Sequence, residues 1–415
     1  MTPRDNAALK ASTDAVPTRA ELIARAKALV PFLKANAAAT EVRRSLMPEV
    51  VEKLFEAGLM RYFVPRRFGG YEADWGVQYY ISKELAHGCP STAWVSSVVG
   101  QHTMHASRFS KEAQDEIFAD GPDLIIATSS APKKVSARKV PGGFMVSGIY
   151  GFSSGIDHSK WGMAFGAVDG VRTYFLMPRK DYEIGDVWHT IGMRGTGTKD
   201  LIVPPEVFVP ERRSLPWAVF NAANPPGSKV LDGYIYAMEF GPHIAGTSPL
   251  GPIVGAAEAA LETYIEITRN RVSAIDGTKI GDSELIHLRI AESASEIHAA
   301  DMIARNDLDI LHEAGKAGKV LGEKEKFELQ RNRGFIGELC MRSTQRLIRM
   351  MGAMGIFDEN PVNRYFRDIH AMTTQVGVAV DVTMPPWGRW ALGLPQKGLF
   401  ANIKAQDSSG KAKTN

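Results

Sequence analysis

Apolar residues in the first third of the chain recur at helical spacing. Leu22, Ala26, Leu29, Val30 and Leu33 trace one buried helix face, and Thr18-Arg-Ala-Glu21 ahead of them reads as a capping box. Met47-Pro48 opens a second helix with Val51, Leu54 and Phe55 inward and Gly58 just past its end. Phe63-Val64-Pro65 and Phe68-Gly69-Gly70 form a turn, and Tyr79, Ile81, Leu85, Trp94, Val98 and His102 predict two buried helices over about 74–119. Near Asp123 the period changes. Leu124 to Ala127 is a short apolar strand, Gly142-Gly143 a hairpin turn, and Phe144, Val146 and Tyr150 alternate partly. Val171–Met177 and Leu201–Val209 are further strands, the last interrupted by Pro204-Pro205, which argues for an edge or a bulge. Beyond about 236 the helical period returns in segments near 252–271, 283–314, 323–352 and 361–382, the number a helical bundle needs. Pro385-Pro386-Trp387 then predicts an irregular segment where a lid could sit.

These patterns divide the chain into a flexible start (1–16), an N-terminal helical domain (17–122), a middle β domain with linker (123–235), a C-terminal helical bundle (236–395) and a flexible tail (396–415), an α+β organisation. At 415 residues the chain is too long for one simple core. A net charge of +3 without any Lys/Arg block argues against a nucleic-acid partner. Cys89 and Cys340 are far apart and have no metal-ligand spacing, so a reduced, cytoplasmic protein is expected. Neither a signal peptide nor a membrane span is expected, and no His/Asp/Glu group has metal spacing.

The most informative stretch is Ile191-Gly-Met-Arg-Gly-Thr-Gly-Thr-Lys-Asp200. Gly192, Gly195 and Gly197 allow a sharp turn or a close approach to a flat ligand. Thr196 and Thr198 place hydroxyls beside such a ligand, and the upstream strand ends in Tyr150-Gly-Phe-Ser-Ser-Gly155. The order of helices, β block and helices, with this segment inside the β block, resembles the acyl-CoA dehydrogenase superfamily: N-terminal helical domain, middle β-barrel domain, C-terminal four-helix bundle. Within it, Ser91-Thr-Ala-Trp94, Phe109 to Ile117, Ala127-Thr-Ser-Ser-Ala-Pro132, Gly151 to His158 and Arg364-Tyr-Phe-Arg-Asp368 are similar to the oxygenase subunits of two-component flavin-dependent monooxygenases. The Thr-Glu-Pro motif of true dehydrogenases is missing after Ala127-Thr128, and no catalytic glutamate is assigned.

The resemblance implies a flavin, FAD with FMN possible, and O2 as co-substrate. Ser129, Ser130, Ser153 and Ser154, with Phe152 between them, are candidates for the isoalloxazine edge, Ser153 or Ser154 lying near N5 to stabilise a flavin peroxide; turn capping is the competing role. Arg269 and Arg271 match the position that holds the flavin phosphate, although cations at a helix end also serve its dipole. Gly352 and Gly355 match a glycine turn lying against a neighbouring subunit's pyrophosphate, which favours FAD and implies a homotetramer; a plain helix–helix turn is the alternative. His102 and His105, near Trp94, are candidates for binding or deprotonating the substrate, against a buried structural role. Phe240 is a further lining candidate, and His370 matches the Phe-Arg-Asp-x-His run. The relatives carry a second histidine a few residues later, where this chain has Gln375. Glutamine can hydrogen-bond a peroxide or a carbonyl but cannot take a proton. The implied function is a monooxygenase that oxygenates a small aromatic or cyclic molecule, its reduced flavin arriving from a separate reductase because no nicotinamide fingerprint is present. The alternatives are an FAD-dependent acyl-CoA dehydrogenase or oxygenase that reduces its flavin with its own substrate, and an inactive flavin-binding scaffold.

Overall fold

The computed structural model describes residues 16–397 apart from residue 130. Ser130, the start before residue 16 and the tail beyond 397 lie outside the described residues. Helix α1 (Arg19–Arg43) begins as its capping box dictates: the Thr18 hydroxyl accepts the Glu21 N–H at 3.2 Å, and the Glu21 carboxylate accepts the Thr18 N–H at 2.7 Å. It is followed by α2 (Pro48–Glu56), α3 (Val77–Ala86), α4 (Pro90–Ala106) and α5 (Lys111–Ile117). Three helices therefore occupy 74–119 where apolar spacing predicts two. Pro90 stands in the first turn of α4, and Ser110 N-caps the separate α5. Helix α4 is buried along nearly its whole length, packed against α3, the helix Leu250–Arg269 and the strand Ile126–Thr128.

The middle domain consists of two four-stranded sheets. One has the order β1 (Ile126–Thr128), β4 (Trp161–Val168), β5 (Val171–Pro178), β8 (Ser214–Pro216), with β1 parallel to β4. The other is β2 (Ala131–Val140), β3 (Gly143–Ser153), β7 (Lys199–Pro210), β6 (Glu183–Gly185). Phe144, Tyr150 and Leu201 from one sheet share a core with Ala164, Phe175 and Met177 from the other. Pro204-Pro205 marks a bulge: β7 lies inside its sheet, its register against β3 slips between Val146 and Gly148, and Glu206 takes φ 65°.

Short helices α6 (Trp217–Asn221), α7 (Tyr234–Ala237) and α8 (Pro242–Ala245) lead into α9 (Leu250–Arg269), α10 (Glu284–Lys316), α11 (Glu323–Met351) and α12 (Pro361–Met372). The last is shorter than its apolar spacing predicts. Thr373 and Thr374 turn their hydroxyls onto the His370 and Ala371 carbonyls at 3.0 and 2.8 Å, which competes with helix continuation. The chain resumes in α13 (Val380–Thr383) and α14 (Pro385–Ala391). The expected irregular segment is thus a helix, with both prolines in its first turn and Trp387 under the Arg331 guanidinium at 4.9 Å. Among the described residues no helix is long and apolar enough to cross a membrane.

Candidate active site

Hydroxyls from three parts of the chain meet beside α4. The Trp94 indole N–H donates to Ser154 Oγ at 3.2 Å. Ser154 Oγ lies 2.8 Å from Thr198 Oγ1, which lies 2.6 Å from Thr196 Oγ1, and the Thr196 hydroxyl donates to the Met193 carbonyl at 2.8 Å. The Met193 N–H in turn donates to Asp368 Oδ1 on α12 at 2.6 Å. Burial pushes the Asp368 carboxyl up to about 6, despite that hydrogen bond. Close by, Glu41 of α1 accepts from Arg364 at 3.0 Å and from Arg367, and pairs with Arg194 at 3.5 Å. One carboxylate thereby joins α1, the glycine segment and α12.

The glycines of that segment make room for protein, which corrects the expectation of a close approach to a ligand. A Cβ on Gly192 would fall 2.1 Å from the Arg367 carbonyl oxygen, and one on Gly195 would meet Thr40 at 2.5 Å. Phe152, in contrast, is turned outward. This residue is 66% exposed and holds φ 64°, a left-handed backbone that a bulky side chain rarely adopts. The Trp188 ring stands edge-on to it at 6.3 Å, and Val187 and Ile191 are exposed in the same stretch as Trp188. An apolar wall beside neutral hydroxyls fits a flat, uncharged heterocycle such as isoalloxazine.

A second cluster surrounds the histidines of α4. His102 Nδ1–H donates to the Ile126 carbonyl at 2.7 Å, which leaves Nε2 to accept the Thr128 hydroxyl at 2.8 Å. Burial lowers the His102 pKa to about 4 and holds His105 well below its ordinary value. Both imidazoles are therefore neutral at neutral pH. The His105 ring lies 5.5 Å from His102 and packs edge-on to Phe240 at 4.7 Å and Phe220 at 5.4 Å. Arg108, fully buried, stands behind both phenylalanines.

Other expected residues are placed differently. The hydroxyl protons of Ser129 and Ser153 are spent on the Gly151 and Thr128 carbonyls, tying strands together in the turn-capping manner. Arg271 forks onto the Met350 and Met351 carbonyls at 3.0 and 2.8 Å, closing the end of α11 rather than standing free, while Arg269 is exposed. Gly352, at φ 60°, lies against Arg271, whereas a Cβ on Gly355 would sit 2.9 Å from the Ile348 carbonyl, a packing constraint. His370 Nδ1–H donates to the Phe366 carbonyl at 2.8 Å, within its own helix. Gln375 Oε1 accepts the Gly377 N–H at 2.6 Å, so the glutamine carbonyl serves its own turn. That turn is stapled by Arg333, which donates to the Gly377 and His243 carbonyls.

The sequence reading missed Thr128, Asp368 and Arg108. Thr128 and Asp368 stand in sequence only as members of longer motifs, and Arg108 as a charge four residues after Met104, just past the end of α4. Among the described residues no group of three or more His, Cys, Asp or Glu side chains is placed to hold a metal.

Comparison with known proteins gives this arrangement a lineage. The family described as "Acyl-CoA dehydrogenase, N-terminal domain" matches residues 24–119, and "Acyl-CoA dehydrogenase, C-terminal domain" matches residues 250–379. The oxygenase subunit HsaA of a flavin-dependent monooxygenase from Rhodococcus jostii is 34% identical over 382 residues, 89% of this chain and 98% of that one. The oxygenase component of p-hydroxyphenylacetate 3-hydroxylase from Acinetobacter baumannii is 29% identical, covering 90% and 89%. The structure of XiaF from a Streptomyces species, in complex with FADH2 and glycerol, superposes with a TM-score of 0.85 at 26% identity, covering 91% and 96%. Full-length similarity thus runs to oxygenases, and the chain belongs to the acyl-CoA dehydrogenase superfamily, in its branch of flavin-dependent monooxygenase oxygenase subunits.

Proposed function

We propose that this monooxygenase hydroxylates a small aromatic substrate, holding reduced flavin against Phe152 and Ser154 and the substrate against His102, Thr128 and Phe240. The observation that carries the reading is the neutral hydroxyl line from Trp94 to Met193 running beside the exposed, strained Phe152. Bound reduced flavin supplies the electrons for O2 activation, so that one oxygen atom enters the substrate and the other leaves as water. The chain binds, orients and excludes water. His102 stays neutral and fixes the Thr128 proton toward its Nε2, so Thr128 offers oxygen lone pairs to a substrate hydroxyl. Phe240 and His105 supply an aromatic face for the ring. Gln375, its carbonyl engaged by its own turn, has only its NH2 group to offer a ligand.

FAD is favoured over FMN by the Streptomyces relative crystallised with FADH2. A separate reductase supplies the flavin in reduced form, in keeping with the oxygenase-component relatives. A homotetramer is supported by apolar side chains left exposed on the bundle, among them Met302, Phe335, Met354, Ile356 and Phe357. The buried free thiols of Cys89 and Cys340 suit a cytoplasmic setting.

The test supplies photoreduced FAD and 18O2 to the protein with a panel of simple phenols, p-hydroxyphenylacetate first, and follows product by mass. The expected product carries one atom of 18O and forms only when reduced flavin is supplied. Anaerobic bleaching of bound oxidised FAD by substrate alone would overturn the reading.

A further inference from the structure

The line of hydroxyls beside α4 has two ends of fixed character. At one end the Trp94 indole can only donate, and at the other the Met193 carbonyl can only accept. Ser154, Thr198 and Thr196 stand between them with successive oxygen separations of 2.8 and 2.6 Å. Each hydroxyl has one proton. Every contact in the line is satisfied at once only if all three protons point the same way, from Trp94 toward Met193. Ser154 then receives from Trp94, gives to Thr198 and keeps one free lone pair. In the opposite sense the Thr196 hydroxyl abandons the Met193 carbonyl, and Ser154 is left with a proton to give outward. The acceptor end is held in place: the Met193 N–H is tied to Asp368 at 2.6 Å, and its carbonyl also receives the Trp188 indole N–H at 2.9 Å.

We propose that Thr196 and Thr198 are specificity-determining positioning residues that fix Ser154 as a hydrogen-bond acceptor, and so select reduced flavin over oxidised flavin. Reduced flavin carries a proton on N5 and can donate to Ser154, whereas the N5 of oxidised flavin is itself an acceptor and meets a lone pair. The proposal rests on the reading of Ser154 as the N5 partner. Neither threonine needs to touch the ligand, since each acts through the serine along the hydroxyl line.

The experiment measures dissociation constants of reduced FAD (anaerobically) and of oxidised FAD for the intact protein and for the variants Thr198→Val, Thr196→Val, Thr198→Ser and Ser154→Ala. Thr198→Val removes the inward acceptor and frees the Ser154 proton, so the preference for reduced over oxidised flavin should fall about fivefold, the worth of one neutral hydrogen bond. Thr196→Val should move the ratio the same way, and Thr198→Ser, which keeps the hydroxyl, should restore it. A ratio unchanged in both valine variants while Ser154→Ala alters flavin affinity would refute the polarity argument and leave the Ser154 reading standing. Equal weakening of both redox forms in the valine variants would refute it as well. If Ser154→Ala changes neither constant, the Ser154 reading fails and the proposal with it.

Discussion

Replacing Arg108 by methionine should loosen the aromatic wall of the site without touching any candidate ligand contact. The guanidinium is fully buried and donates to the carbonyls of Phe220 at 2.6 Å, Ala222 at 2.7 Å, Met238 at 3.0 Å and Tyr236 at 3.3 Å. Burial brings its pKa down to about 9 from 12.5, a displacement worth about 5 kcal/mol of lost hydration. Against that stand four charge-assisted hydrogen bonds at ~1.5–3 kcal/mol each, roughly 6–12 kcal/mol together. The hydrogen bonds win, and the arginine stabilises the 217–241 linker by about 1–7 kcal/mol, with about 3 kcal/mol as a central figure. Methionine fills much of the volume but leaves four carbonyls without a donor. The linker amides that report on this are Asn224, bonded to Ala237, and Phe240, bonded to Asn221. Their hydrogen-exchange protection should fall about a hundredfold, at ~1.4 kcal/mol per decade, and affinity for an aromatic substrate should weaken as Phe220 and Phe240 lose their backing. Protection within threefold of the parent protein would refute the reasoning, because it would mean that carbonyls and charge were each adequately solvated without the other.

His102 should titrate near pH 4 and show the neutral Nδ1–H tautomer at pH 6 in an imidazole NMR spectrum; a doubly protonated ring there would contradict the geometry. Its folded pKa lies below the unfolded value of ~6.5, so its contribution is full above that pH and is lost on acidification toward pH 4, by up to about 3 kcal/mol. Asp368 works in the opposite direction, because its folded value of about 6 lies above the unfolded ~3.9. Here the native state binds the extra proton, and stability declines as pH rises from about 4 to 6, by roughly 3 kcal/mol. Asp368→Asn should remove that slope in melting temperature against pH, and a variant with the parent's slope would show that another group causes it.

Much of the fold is written in local pattern. The change of period near Asp123, the Thr18–Glu21 box and the Gly142-Gly143 hairpin each depend on neighbours a few residues away, and each forms as its sequence dictates. The length of α12 was not legible, because two threonine hydroxyls back-bond to helix carbonyls where apolar spacing alone suggests continuation. In the site, residue types were readable but partnerships were not. Trp94, Ser154 and Thr198 could be named as candidates, yet their hydrogen bonds span 60 and 44 positions of sequence. The glycines of 192–197 suit a sharp turn or a close ligand by sequence alone, and at Gly192 and Gly195 the space is filled by the backbone of α12 and by Thr40 of α1. Thr128 reads as an ordinary strand residue until β1 sets its hydroxyl against a histidine from α4.

The carboxylate of Glu41 has a bearing on how this protein comes into being. Its strongest partner, Arg367, lies 326 positions further along the chain, and Asp368 beside it anchors the glycine segment through Met193. During synthesis the N-terminal helices and both sheets emerge long before α12. The hydroxyl line remains without its anchor until then. The anchor of the glycine segment thus waits on one of the last helices to arrive. The Glu41–Arg367 ion pair therefore joins the first helix of the chain to one of the last.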